Sequence, residues 1–283
     1  MPTDKRARQK EGRAARQQAL LEAQRRQQRR SRILRFFIPV AILVAAAAFL
    51  SNRGGGSGGK AQKLSTTTTN LAAPPVKGKT LTGDTPCPPA TGATSRVAKF
   101  AKAPPTCIDP AKSYTAVFDT SEGRIRVALD TKDAPQTANN FVVLARYHFY
   151  DGTKIFRTDP SIDIIQGGSP ATQDNRDPGP GYTIQDEGNA ATRKYSAGDL
   201  VMARTSRPNS GGAQFFFVAG PKAAGLDGGN GPTGGSYVTF GKTTQGLDVV
   251  QKILGLNKQD PTSGLGGAPA HTVLVRKVTI VEG

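Results

Sequence analysis

From residue 113 onward the chain alternates apolar and polar residues in short runs, and glycine and proline break every run. Tyr114–Thr120 (YTAVFDT) and residues 124–130 (RIRVALD) flank a Ser-Glu-Gly turn. A period of two puts successive side chains on opposite faces of a strand, so this pair reads as an antiparallel hairpin. Further strands are expected at 162–166, 200–204, 214–219, 237–242 and 272–282. Two stretches keep a helical period instead. Asp133-Ala-Pro opens TANNFVVLARYHF, in which Ala138, Phe141, Val142, Leu144 and Ala145 share a face, and Leu247, Val250, Ile253 and Leu254 mark a second helix. About eight strands with two helices predict a mainly β fold, a closed eight-stranded antiparallel barrel capped by the helices. Periodicity alone does not separate this from a sandwich.

The rest of the chain is organised differently. Of its 38 Lys and Arg residues, 12 fall in residues 1–35 against three acids, which gives that leader +9 of the total +17. Residues 86–283 carry only +4, without the basic stripe that a nucleic-acid surface needs, so no nucleic-acid partner is expected. The leader runs into FFIPVAILVAAAAFL at 36–50, fifteen uncharged and mostly apolar residues. A membrane span needs about 17 residues or more, and Ile33 and Leu34 extend the stretch if Arg35 snorkels to the headgroups. A single-pass anchor, a cleaved signal peptide and a buried helix are the competing readings, and the first leads because the leader is long for a signal. An anchor with a basic flank places the N-terminus in the cytoplasm and the C-terminal domain across the cell membrane. Residues 51–85 are rich in Gly, Ser and Thr and are expected to form a flexible tether. Residues 86–112 form a Pro-rich segment holding the two cysteines, and 113–283 the folded domain.

Two Cys and two His exclude Cys₄ and Cys₂His₂ zinc sites, and no metal or cofactor is expected. Outside the cytoplasm Cys87 and Cys107 would pair as a disulfide, worth about 3 kcal/mol for a loop of that size; the other reading is two free thiols. Gly241-Lys242-Thr243 resembles the end of a phosphate loop, but position 236 is Ser where that loop needs Gly. No Gly-x-Ser-x-Gly elbow is present, so His148 beside two aromatics reads as packing. Asp186 and Glu187 are adjacent, which on a strand sends them to opposite faces, and His271 is assigned no role.

Three stretches stand apart. They are YDGTKIFRTDPSIDIIQGGSP at 150–170, GYTIQDE at 181–187, and LVMARTSRPNSGGAQFFFVAG at 200–220 with Gly225-Leu226-Asp227-Gly228 and Tyr237-Val-Thr-Phe-Gly-Lys beyond. In that order they resemble the cyclophilin family of peptidyl-prolyl cis-trans isomerases, over residues 114–281. The tethered arrangement ahead of them is similar to that of membrane-anchored actinobacterial members.

The chemistry implied is rotation about X–Pro bonds. Amide resonance sets a barrier of about 18–20 kcal/mol, while the two prolyl isomers differ by only about 1 kcal/mol. Catalysis needs no nucleophile, only a site complementary to the twisted amide, whose nitrogen regains its lone pair. A donor aimed at that nitrogen inside an apolar pocket supplies this, and arginine offers a permanent charge with five donors on a rigid plane.

By the resemblance, Arg157 is the catalytic arginine and Gln166 the glutamine that orients it and meets substrate. Gln214 contacts substrate, Phe216 floors the proline pocket and Leu226 lines it, while Ala203 and Arg204 border the peptide groove. The sequence departs from the family in several places. Phe156 replaces a common histidine, and one extra residue separates Arg157 from Gln166. Ile162, Asp163 and Ile164 replace a pocket Phe-Met pair, with Ile164 taken as the pocket residue. Tyr237 stands for a histidine, Arg204 for an asparagine, and Gly225 for the tryptophan that helps hold cyclosporin, so weak cyclosporin binding is expected. The expected partners are proline-containing polypeptides and the membrane, with the protein a monomer. A binding module on the same barrel that holds proline segments without turning them over is the rival reading.

Overall fold

The computed structural model describes residues 76–188, 192–229 and 236–283. The expected anchor and most of the expected tether lie outside the described residues. Among the described residues, no helix is long and apolar enough to cross a membrane.

The alternating runs become β3 (Tyr114–Thr120) and β4 (Arg124–Leu129), following a short parallel pair, β1 (Lys79–Leu81) and β2 (Val97–Phe100). After helix α1 (Pro135–Arg146) come β5 (Thr153–Ile155), β6 (Arg157–Asp159), β7 (Ile164–Gly167), β8 (Asp199–Met202) and β9 (Phe215–Val218). Tight helical turns over Pro221–Gly229 lead to β10 (Thr239–Gln245), helix α2 (Leu247–Gly255), β11 (Asn257–Gln259), β12 (Gly267–Pro269) and β13 (Val273–Glu282). The last eleven strands form one sheet in the order β11-β12-β6-β7-β9-β8-β10-β4-β3-β13-β5.

The expected closed eight-stranded barrel is therefore a curled sheet of 11 strands whose ladder ends at β11 and β5. It curls until Ile155 lies against Gly167 of β7, where a Cβ would come within 2.9 Å of the isoleucine's Cδ1. The extra strands are three-residue pieces too short to show a period. Lys79–Leu81, expected within the tether, is a further three-residue strand outside this sheet, and its pairing with β2 is non-local.

α1 plugs the curl. Every residue from Thr137 to Arg146 is buried, although the sequence suggests a single apolar face. Its polar side is covered by the Pro-rich segment. Asn139 accepts from the N–H of Cys107 at 2.7 Å and donates to the Pro105 carbonyl at 2.9 Å. At its N-terminus the Glu187 carboxylate accepts from the N–H groups of Gln136 and Thr137 at 2.8 and 2.7 Å, which satisfies donors that lack partners within the helix. Cys87 and Cys107 are joined in a disulfide, with Cα atoms 5.4 Å apart.

Candidate active site

Sheet register sets the site. Arg157 is opposite Gln166, Gln166 opposite Phe216, and Phe216 opposite Val201, so one row crosses β6, β7, β9 and β8. Residues in one such row share a face. The neighbouring row of Thr158, Ile165, Phe217 and Leu200 faces the other way, into the core.

Arg157 is held on three sides. Its Nε donates to the Leu265 carbonyl at 2.5 Å, one terminal nitrogen to Gln166 Oε1 at 2.9 Å, and the other to Asp159 Oδ2 at 2.8 Å. Gln166 Nε2 in turn donates to Gln214 Oε1 at 2.9 Å, and Gln214 Nε2 to the Asn175 carbonyl at 3.4 Å. A guanidinium has five N–H bonds, so two are left over for a ligand. The Leu265 carbonyl reaches Arg157 because the chain behind it hugs β6. Gly266 has φ +85°, and a Cβ there would lie 2.9 Å from the Thr158 carbonyl and 2.8 Å from Asp159 Cγ.

Asp159 is 5% exposed. Burial pushes its pKa up, but hydrogen bonds from Ser161 and Arg157 and the charge of Arg157 outweigh this and hold it below the usual carboxylate value. It is thus the counter-ion of Arg157. The sequence reading passed it over, although on a strand the position two residues on points to the same face.

The floor beside the arginine is apolar. Ile164, Val201, Phe216, Val218, Leu226, Tyr195 and Tyr237 form a cluster separate from the main core, with Ile162 and Ala203 packed on it. Phe216 meets Tyr237 edge to face, ring centres 5.4 Å apart. Tyr195, absent from the sequence reading, donates its hydroxyl to the Tyr237 carbonyl at 2.9 Å.

Part of this floor and the Arg157–Gln166–Gln214 chain border one cavity of about 480 Å³. The structure brings Arg157, Gln166, Ile164, Ala203, Arg204, Gln214, Phe216, Leu226 and Tyr237 together around it. Asp163, with φ +49°, does not line the cavity, its carboxylate accepting from the Lys222 N–H at 3.0 Å. Ile162 and Ile164 are then left to line the pocket. Arg204 borders the cavity and donates from Nε to the Ser236 carbonyl and from one terminal nitrogen to the carbonyls of Thr205 and Arg207. Its guanidinium carbon stands 5.8 Å from the centre of the Tyr237 ring. Gly225 has open space where a side chain would be.

Neither histidine enters the site. His148 bridges the Ala93 carbonyl and Asp151, and His271 pairs with Glu122.

Of the far wall, the sequence reading singled out only the stretch from 181, without assigning its residues a role. Residues 175–183 supply Asn175, Asp177, Pro178, Gly179, Pro180 and Tyr182 to the cavity. Nothing in that stretch repeats with a structural period, so only tertiary packing reveals its place.

Comparison with known proteins agrees with this geometry. Residues 115–280 match the family model described as cyclophilin type peptidyl-prolyl cis-trans isomerase. A peptidyl-prolyl cis-trans isomerase of Streptomyces antibioticus is 35% identical over 167 residues, 59% of this chain and 98% of that protein. One from Helicobacter pylori is 37% identical over 147 residues, covering 50% of this chain and 82% of its own. Among solved structures, a Cryptosporidium parvum cyclophilin determined in the presence of the dipeptide Ala-Pro superposes with a TM-score of 0.50 at 25% identity, over 60% of this chain and 99% of that one. Fold, cavity and sequence match lead to the same place: the chain belongs to the cyclophilin-type peptidyl-prolyl cis-trans isomerases.

Proposed function

We propose that Arg157 donates a hydrogen bond to the prolyl nitrogen as the amide twists, with the proline ring seated on Phe216, Ile164 and Leu226. The observation that carries this is the donor chain Arg157–Gln166–Gln214 at the edge of an apolar floor. The planar amide nitrogen accepts poorly and the twisted one well, so the donor stabilises the transition state more than either ground state. Asp159, Gln166 and the Leu265 carbonyl fix the guanidinium plane beforehand, so little reorganisation is left for the reaction.

The substrates are X–Pro bonds in polypeptides folding outside the cytoplasmic membrane, and residues 36–50 hold the enzyme at that membrane as a single-pass anchor. The basic leader and the apolar stretch behind it support this placement. The reading requires no second copy of the chain, because Arg157, Gln166, Gln214 and Phe216 already stand around one cavity.

Exchange spectroscopy by NMR on an X–Pro peptide, with the full chain in detergent micelles, tests the chemistry. Arg157→Ala is expected to lower kcat by about 10²–10³, the usual loss for one transition-state donor, while the peptide still binds. Full turnover by the variant would overturn the assignment. Peptide binding without turnover by the wild type would make the domain a holding module. For the placement, the intact chain should sediment with membranes and resist alkaline extraction.

A further inference from the structure

Residues 76–112 precede the family match, which begins at residue 115, yet they reach the wall of the substrate cavity. The segment is fastened to the end of α1 and the turn after it. The N–H groups of Ala93 and Val97 donate to the carbonyls of Arg146 and Tyr147 at 2.8 and 3.0 Å. The Arg96 guanidinium donates to the carbonyls of Phe149 and Asp151. The disulfide closes the segment on itself over 20 residues.

Phe100 passes this anchorage on to the cavity. It is 1% exposed, and its N–H donates to the Pro180 carbonyl at 2.7 Å. Its ring meets Tyr182 edge-on at 6.1 Å and Tyr147 at 5.4 Å. Pro180 and Tyr182 both line the cavity. Gly181 between them has φ +106°, and a Cβ there would stand 2.3 Å from the Phe100 carbonyl oxygen, so the two chains come this close only because a glycine is present. On its inner side the same wall abuts Gly212, where a Cβ would lie 3.2 Å from the Tyr182 carbonyl. The Asn175 carbonyl accepts from Gln214. Contacts thus run from the disulfide-closed segment through the wall to Gln214, Gln166 and Arg157.

We propose that Phe100 is a positioning residue for substrate binding. The segment ahead of the isomerase fold holds the wall at 178–182 at a fixed distance from Gln214, and so sets the affinity for the peptide chain flanking the prolyl bond. Phe100 does not touch the reacting amide, so it acts on binding and leaves turnover alone. This rests on the cavity's being the substrate site, and Arg157→Ala is measured alongside for that reason.

The test is a split between KM and kcat in the full-length protein, with an X–Pro peptide long enough to fill the groove. Phe100→Ala should raise KM about tenfold with kcat within about twofold, and Phe100→Leu, which keeps apolar bulk against Tyr182, should recover most of the loss. Gly181→Ala breaks the same contact from the exposed side without emptying the core, and should give the same split. Combining it with Phe100→Ala should add little, because both remove one contact. Lys102→Ala, on the same segment but exposed and away from the wall, should leave KM unchanged. An unaltered KM in Gly181→Ala, or a Phe100→Ala protein that only melts earlier, would overturn the proposal. Loss of turnover in Arg157→Ala alongside such a result confines the failure to the brace. Retention of turnover in Arg157→Ala removes the site reading and the brace together.

Discussion

Two apolar clusters share one sheet and are built differently. The larger fills the curl with rings that touch one another. Phe118 meets Phe141, Phe215 and Phe217 with centres 5.1–5.8 Å apart, and Phe141 stacks on Tyr150 at 4.8 Å. The smaller, around Phe216, mixes branched aliphatic residues with two tyrosines and opens on one side into the cavity. A single strand supplies both. In Phe215–Val218 the first and third rings enter the core and the second the pocket, as the two-residue period requires. A sealed cluster stabilises the fold, whereas a cluster with one open face keeps part of its burial for a ligand.

The comparison can be broken most severely at Phe217. It is 1% exposed among other rings, so Phe217→Ala leaves a dry void and should destabilise by about 3–5 kcal/mol. Urea unfolding measures this as a lower midpoint with an unchanged slope. Below its new melting temperature the variant should still turn over X–Pro peptides, because no pocket group is lost.

Phe216→Ala should show the opposite balance. The space it leaves joins an open groove that water can enter, so the cost is nearer the transfer term alone, about 1.5–3 kcal/mol. KM, in contrast, should rise at least about tenfold, a step of 1.4 kcal/mol. If the two variants lost stability and activity in the same proportion, the two clusters would be a single core.

The two clusters also differ in how far the sequence revealed them. The hairpin of β3 and β4, both helices and the split of the three phenylalanines are legible because alternation and helical period are local properties. The nine residues placed around the cavity were legible through motif order, since spacing along paired strands carries over into register. Other features depend on contacts that no local pattern encodes. The β1–β2 pair joins residues ahead of Cys87 to residues inside the disulfide-closed segment. The wall at 175–183 is irregular chain held by Phe100 and Gly212. Asp163, which does not line the pocket, has a positive φ, which aspartate tolerates better than most residues but which its neighbours do not announce. Closure of the barrel was overestimated for a related reason. Three-residue edge strands carry no period, so the seven longer runs looked like nearly the whole sheet.

The polar edge of the smaller cluster gives the finest test, at Asp159. The carboxylate accepts from Arg157 and from the hydroxyl and N–H of Ser161. Asp159→Asn removes the charge and keeps one of the two acceptor oxygens, with its amide NH₂ in place of the other, so it should cost at least about 1 kcal/mol, roughly the difference between a charge-assisted and a neutral hydrogen bond. The pH dependence identifies that loss as electrostatic. The folded-state pKa of Asp159 is depressed by Ser161 and Arg157. Its contribution is therefore complete above the unfolded value of about 3.9 and is lost as pH falls through the lower folded value. Urea midpoints of wild type and variant should differ by a constant amount from pH 5 to 8 and converge below about pH 4. A gap that persisted undiminished to pH 3 would mean that the asparagine disturbs packing around Arg157, and that the ionised carboxylate is not what holds the guanidinium in its plane.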